Sequence, residues 1–122
     1  MAQRSNTEST MHNRLIELMV NKLEEERAYV RADHIGHRNG QPENVNGHIP
    51  DIEASSNGTK RIIEAETPET FNLQDTKNQF IAFYNAYGTL FEVIVPKGYE
   101  AELRRVALNW GITLGTVWEA RL

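Results

Sequence analysis

The chain contains no cysteine, which excludes a disulfide framework and any thiolate metal site. No apolar run approaches the roughly 18 residues of a membrane-spanning helix. The opening stretch MAQRSNTEST lacks the apolar segment of a secretory leader. A soluble cytoplasmic protein is the expectation. There is also no surplus of positive charge: the net charge is −4. Proteins that coat nucleic acid without sequence preference are usually basic. Any nucleic-acid contact here has to be local or carried by a bound cation. A glycine-rich phosphate loop, a nucleophile elbow and a dinucleotide fingerprint are all missing, as are internal repeats and low-complexity segments. What remains is a chain of 122 residues, the size of one domain and long enough to bury a core without staples.

Hydropathy patterning divides the chain into elements. Residues 1–8 read as a flexible polar tail, and residues 9–122 as a single domain. Met11, Leu15, Leu18, Met19 and Leu23 recur at helical spacing, and Ser9 or Thr10 is suited to cap that helix. The stretch AYVRAD, from Ala28, alternates as a strand does. Residues 36–47 are turn formers and read as a flexible loop. A hairpin follows, HIPDIEA and TKRIIEAE joined through Asn57-Gly58, a strong tight-turn pair. A helix is predicted from Leu73 to Tyr87, with Phe80, Phe83, Tyr84 and Tyr87 on one face and Gly88 ending it. LFEVIVP reads as a strand covered on both faces. Tyr99 to Trp110 forms the last helix, and TVWEAR a short edge strand. The order is αβββαβαβ. The strand after Gly88 follows a helical crossover and so runs parallel to a hairpin strand. The expected fold class is α/β, a mixed central sheet flanked by helices.

Within the hairpin, carboxylates stand where strands favour other residues. Glu64 and Glu66 point to one face, Ile63 and Ala65 to the other. Asp51 follows Pro50 between two isoleucines, beside the strand that carries the glutamates. Carboxylates converging in a low-dielectric patch repel one another, and a divalent cation with hard oxygen ligands relieves this. Such an ion activates water and neutralises charge on a phosphate. A solvated sheet face is the competing reading for Glu64 and Glu66 alone; Asp51 favours the site.

The element order, Pro50-Asp51 and the Glu-Ala-Glu that begins thirteen residues after Asp51 resemble the PD-(D/E)xK nuclease superfamily, which includes restriction endonucleases and archaeal Holliday junction resolvases. The likeness runs from the first helix to about Pro96. It implies a restriction endonuclease-like fold and magnesium-dependent hydrolysis of DNA phosphodiester bonds, with manganese as a substitute. Asp51 and Glu64 would be metal ligands. Glu66 stands at the lysine position of the motif, giving ExE. It would add a ligand or orient the attacking water. The lysine would then come from the following helix, where Lys77 is available. The alternative for Lys77 is a packed stem with its ammonium in water. Gln79, flanking the same face, is a further candidate for contact with the nucleic-acid backbone or metal-bound water. Lys60, beside the hairpin turn, ranks below Lys77. A catalytically inactive nuclease-fold module that binds nucleic acid or protein is the rival reading, favoured by ExE and by the acidic balance. The chain's small size makes a homodimer or a larger complex a natural partner arrangement.

Other polar residues have weaker claims. In the first helix Glu17 reads as exposed, while Glu8 and His12 share the inward side; His12 there reads first as a core or boundary histidine. His34, His37 and His48 flank the turn-rich loop. Three histidines can bind zinc, but a solvated, substrate-facing loop is the preferred reading. Arg104 and Arg105 read as solvated, Trp110 as core, and Trp118 as core or a dimer contact.

Overall fold

A computed structural model describes residues 6–122. The elements are α1 (Asn6–Glu25), β1 (Tyr29–Ala32), β2 (Ile52–Ser56), β3 (Thr59–Ala65), α2 (Gln74–Tyr84), β4 (Thr89–Pro96), α3 (Glu100–Asn109) and β5 (Val117–Ala120), with a single 3-10 turn at Pro68–Thr70 before α2. The predicted order αβββαβαβ is present. The five strands form one mixed sheet in the order β1-β2-β3-β4-β5. β1, β2 and β3 pair antiparallel, whereas β4 lies parallel to β3 and β5 parallel to β4. Among the described residues no helix is long and apolar enough to cross a membrane.

α1 begins at Asn6, three residues before the predicted cap. Glu8 therefore lies within the helix, and the part of the predicted tail at residues 1–5 lies outside the described residues. Thr10 is not a cap: its hydroxyl donates to Asn6 O one turn back. The buried stripe is His12, Leu15, Ile16, Met19, Val20 and Leu23, at i, i+3, i+4 spacing. Met11 and Leu18, expected within it, are only half-buried. The stripe is turned towards Ile16 and Val20, and this turn places His12 against the sheet.

The hairpin forms as its turn residues demand. Asn57 and Gly58 both adopt positive φ, 51° and 79°, between the paired Ser56 and Thr59. Two left-handed residues match the twist of the flanking strands.

The two sheet faces carry separate cores. Ile52, Ala54, Ile63, Ala65 and Ile94 meet the α1 stripe. Val93 and Val95 pack with Phe71, Phe80, Leu103 and Ala107 on the other face. α2 ends at Tyr84 rather than Tyr87 and packs through Thr76, Phe80 and Phe83. Tyr84 and Tyr87 are exposed, so the predicted aromatic face is only half correct. Thr76 takes part in the packing because its hydroxyl donates to Thr70 O at 2.7 Å, which satisfies a buried polar group.

Arg104 departs from its solvated reading. It bonds Glu100 at 2.8 Å and donates to Leu114 O and Gly115 O at 2.7 and 2.8 Å, tying α3 to the segment before β5. Arg105 is exposed. Trp110 packs edge-on against Phe80, and Trp118 packs against the α1-side core.

Candidate functional site

The site lies where β2 begins and β3 ends. Ile52 pairs with Ile63, so Asp51 and Glu64 face each other just beyond the last paired residues. Here each carboxylate takes a backbone N–H of the opposite strand. Asp51 N–H donates to Glu64 Oε1 at 2.7 Å, and Ala65 N–H donates to Asp51 Oδ2 at 2.9 Å. The strand ends would otherwise leave these donors orphaned in a buried setting. The two acidic residues thus close the hairpin reciprocally.

Asp51 is nearly enclosed, at 5% exposure, and its charge is compensated by imidazoles. His12 Nε2, from α1, lies 3.1 Å from Asp51 Oδ2, and His34 Nε2 lies 3.3 Å from Oδ1. The two rings meet edge to face, 5.1 Å between centroids. Burial pushes the Asp51 carboxyl up. The hydrogen bonds from His12 and His34, the charge of His12 and the Ala65 N–H outweigh burial and hold it well below the usual carboxylate range. No lysine or arginine among the described residues pairs with Asp51. His34 sits at positive φ, 72°, with its N–H donating to Asp33 Oδ1 at 2.9 Å. It is the most exposed member of the trio, with its side chain 27% exposed.

Glu64 and Glu66 are buried at 2% and 1% exposure. They do not lie on a solvated sheet face. Glu66 follows β3 and extends its pairing, with its N–H on Ile94 O at 3.0 Å. Thr70, from the 3-10 turn, donates its hydroxyl to Glu66 Oε1 at 2.5 Å.

Among the described residues, the His, Asp and Glu side chains whose ligand atoms all lie within 4.8 Å of one another are His12, His34 and Asp51. The predicted trio of Asp51, Glu64 and Glu66 is thus brought to one end of the sheet. Only Asp51 belongs to the tight cluster, and two histidines complete it. Lys77 and Gln79 are half-buried on α2. Two positions apart on a helix with 3.6 residues per turn, they flank the packing face on opposite sides. Neither bonds the carboxylates by any contact among the described residues. Lys60 pairs with Glu53 at 3.6 Å beside the hairpin turn, at the opposite end of β3 from Glu64. Glu17 is exposed beside Arg14, and Glu8 is half-buried in the first turn of α1.

The turn-rich loop is tied down rather than solvated throughout. His37 Nε2 meets Glu24 Oε2 at 3.0 Å, His48 packs on Phe83, and Asn46 Nδ2 donates to Ala82 O at 2.9 Å. The histidines therefore divide: His37 and His48 anchor the loop, and His34 reaches the site. His12 had a detectable signal in the sequence. A polar residue in register with Leu15, Ile16 and Met19 must find a buried partner, and Asp51 in its apolar run needs one too. His34 had no such signal, because a loop contact has no periodicity.

No family model, curated protein or solved structure matches the chain.

Proposed function

We propose that the protein is a metal-dependent phosphodiester hydrolase acting on DNA, with a restriction endonuclease-like fold. The observation that carries this reading is the meeting of Asp51 and Glu64 at the open end of the β2–β3 hairpin, with α1 delivering His12 onto the Asp51 carboxylate. The order αβββαβαβ supports it. The donors fit a divalent cation: a buried carboxylate and two imidazole nitrogens within 4.8 Å of one another. Such an ion, when bound, supplies an activated water and neutralises charge on the phosphate.

The chain's own residues have distinct tasks. Asp51 offers the anionic oxygens, preset by the Ala65 N–H. Glu64 fixes the Asp51 backbone and so the direction in which its side chain leaves the strand. Glu66, enclosed and held by Thr70, adds negative charge behind the ligands. Lys77, in the first turns of α2, supplies the cation that the ExE sequence lacks at its third position. Its partner on this reading is the scissile phosphate rather than the carboxylates, which it does not bond.

One observation favours the rival, a nuclease-fold module without activity. Both Asp51 and Glu64 make hydrogen bonds that close the fold, so their presence does not by itself require chemistry. The experiment is cleavage of linear, supercoiled and branched DNA by the full chain in magnesium and in manganese, beside Asp51→Asn and Lys77→Ala. Activity is expected in the wild type, abolished by Asp51→Asn. It should fall on the order of 100-fold in Lys77→Ala, as for loss of one electrostatic contact to transition-state charge. Metal-independent DNA binding with no cleavage of any form would establish the rival instead.

A further inference from the structure

The donor set at Asp51 is not that of a typical magnesium site. Magnesium takes oxygen ligands in near-ideal octahedra and retains several waters. Here two of the three donors are imidazole nitrogens, which suit zinc and its first-row neighbours.

Each imidazole stands from an Asp51 oxygen at the spacing that such an ion imposes, and the three ligand atoms all lie within 4.8 Å of one another. His12 Nε2 and His34 Nε2 lie 3.1 and 3.3 Å from the two Asp51 oxygens. Donors placed 2.0–2.1 Å from a tetrahedral centre stand about 3.3 Å apart.

The outer contact of His12 points the same way. Its Nδ1 lies 3.1 Å from Asn13 Oδ1, an acceptor that calls for the N–H at Nδ1. With Nδ1 turned to Asn13, Nε2 is the ring nitrogen left facing Asp51 Oδ2, at 3.1 Å. Metal-bound histidines are oriented in this way, with the second ring nitrogen donating to an oxygen. His34 is the most exposed member of the trio, its side chain 27% exposed against 3% and 8% for His12 and Asp51. Three protein ligands with one open position are the pattern of catalytic rather than structural zinc sites.

We infer that His12, His34 and Asp51 form a binding site for a first-row transition cation of the zinc type, selected over magnesium, with one position open to solvent or substrate. The inference rests on the proposed reading of Asp51 as a metal ligand and changes the identity of the metal and of its other ligands.

The test uses the chelator-treated full chain and metal salts alone. Zinc, manganese and magnesium are titrated by calorimetry, and cobalt(II) is followed by its visible absorption. Zinc should bind roughly 100-fold or more tightly than magnesium. The cobalt spectrum should show a nitrogen-containing, low-coordinate site. His34→Ala changes the most exposed of the three side chains, 27% exposed, and an intact cooperative unfolding transition of the metal-free variant checks that it folds. It should weaken zinc binding at least about tenfold and alter the cobalt bands. Asn13→Ala, which removes only the outer contact, should weaken zinc about tenfold. Equal affinity for zinc and magnesium would overturn the inference, as would unchanged zinc binding in His34→Ala. The same measurements separate it from the hydrolase reading. Histidine-dependent zinc binding without DNA cleavage would uphold the site and remove the activity. Magnesium-supported cleavage that survives in His34→Ala would uphold the activity and remove the site.

Discussion

At the scale of single residues, buried charge is the feature that most needs explaining, and each instance here has a partner. Away from the site, Glu92 is 5% exposed on β4. Arg61 grips it with two bonds, Nε to Oε2 at 2.6 Å and Nη2 to Oε1 at 2.9 Å, and Trp118 Nε1 donates to Oε1 at 2.8 Å. Removing Glu92 leaves half-buried Arg61 with only its longer 3.7 Å contact to Glu26 and leaves the Trp118 N–H without its acceptor. Glu92→Ala should therefore cost about 3 kcal/mol in denaturant unfolding, while replacing Arg61 and Glu92 together by apolar residues should recover most of the loss. The pair of Glu24 with His37, whose ring is buried, gives a different expectation. Glu24 accepts from His37, and although partial burial opposes the effect, this bond and the Arg38 contact hold its carboxyl below the ordinary value. Because the folded-state value is the lowered one, the contribution is fully present above the unfolded value of about 4.3. It is lost as pH falls through the lowered folded value. Glu24→Gln should make stability fall less steeply with acidification below about pH 4.3, as read from urea midpoints across that range.

At the scale of elements, the sequence was most legible where a local rule acts alone. The hairpin is the clearest case, since Asn57-Gly58 specifies both the turn and the register. Gly58 at φ +79° meets no neighbour where a Cβ would stand, so the cost of a side chain there is conformational only. Gly58→Ala should destabilise by about 1–2 kcal/mol without changing the fold, a difference that thermal unfolding resolves. The parallel placement of β4 was also legible, because a helix must intervene. Helix faces were harder to read. α1 was predicted from its hydrophobes with His12 on its inward side, and His12 is buried, whereas Met11 and Leu18 are only half-buried; α2 was given Tyr84 and Tyr87, and it buries Thr76 instead. In both helices a polar residue with an internal partner outcompeted an apolar one, and hydropathy patterning cannot register a partner from another element. The site shows the same division. The buried carboxylates Asp51, Glu64 and Glu66 stood out by their strand context, whereas His34 reaches Asp51 from a loop whose path only the tertiary structure defines.

At the scale of the whole molecule, the acidic balance and the buried carboxylates make the site self-repelling towards a polyanion until a cation is present. The cluster also draws on distant parts of the chain: His12 and Asp51 are 39 positions apart, and His34 comes from the segment between them. Secondary structure alone cannot assemble it; α1 must be seated on the sheet and the loop must be in place. The order of events during folding becomes observable as a result. A cation that grips only the finished cluster lowers the free energy of the native state and leaves the barrier top untouched, provided α1 docks after the rate-limiting step. Zinc is then expected to slow the unfolding limb of a stopped-flow chevron and leave the refolding limb where it was. Refolding accelerated by zinc would place the docking of α1 before the barrier and make the first helix part of the folding nucleus.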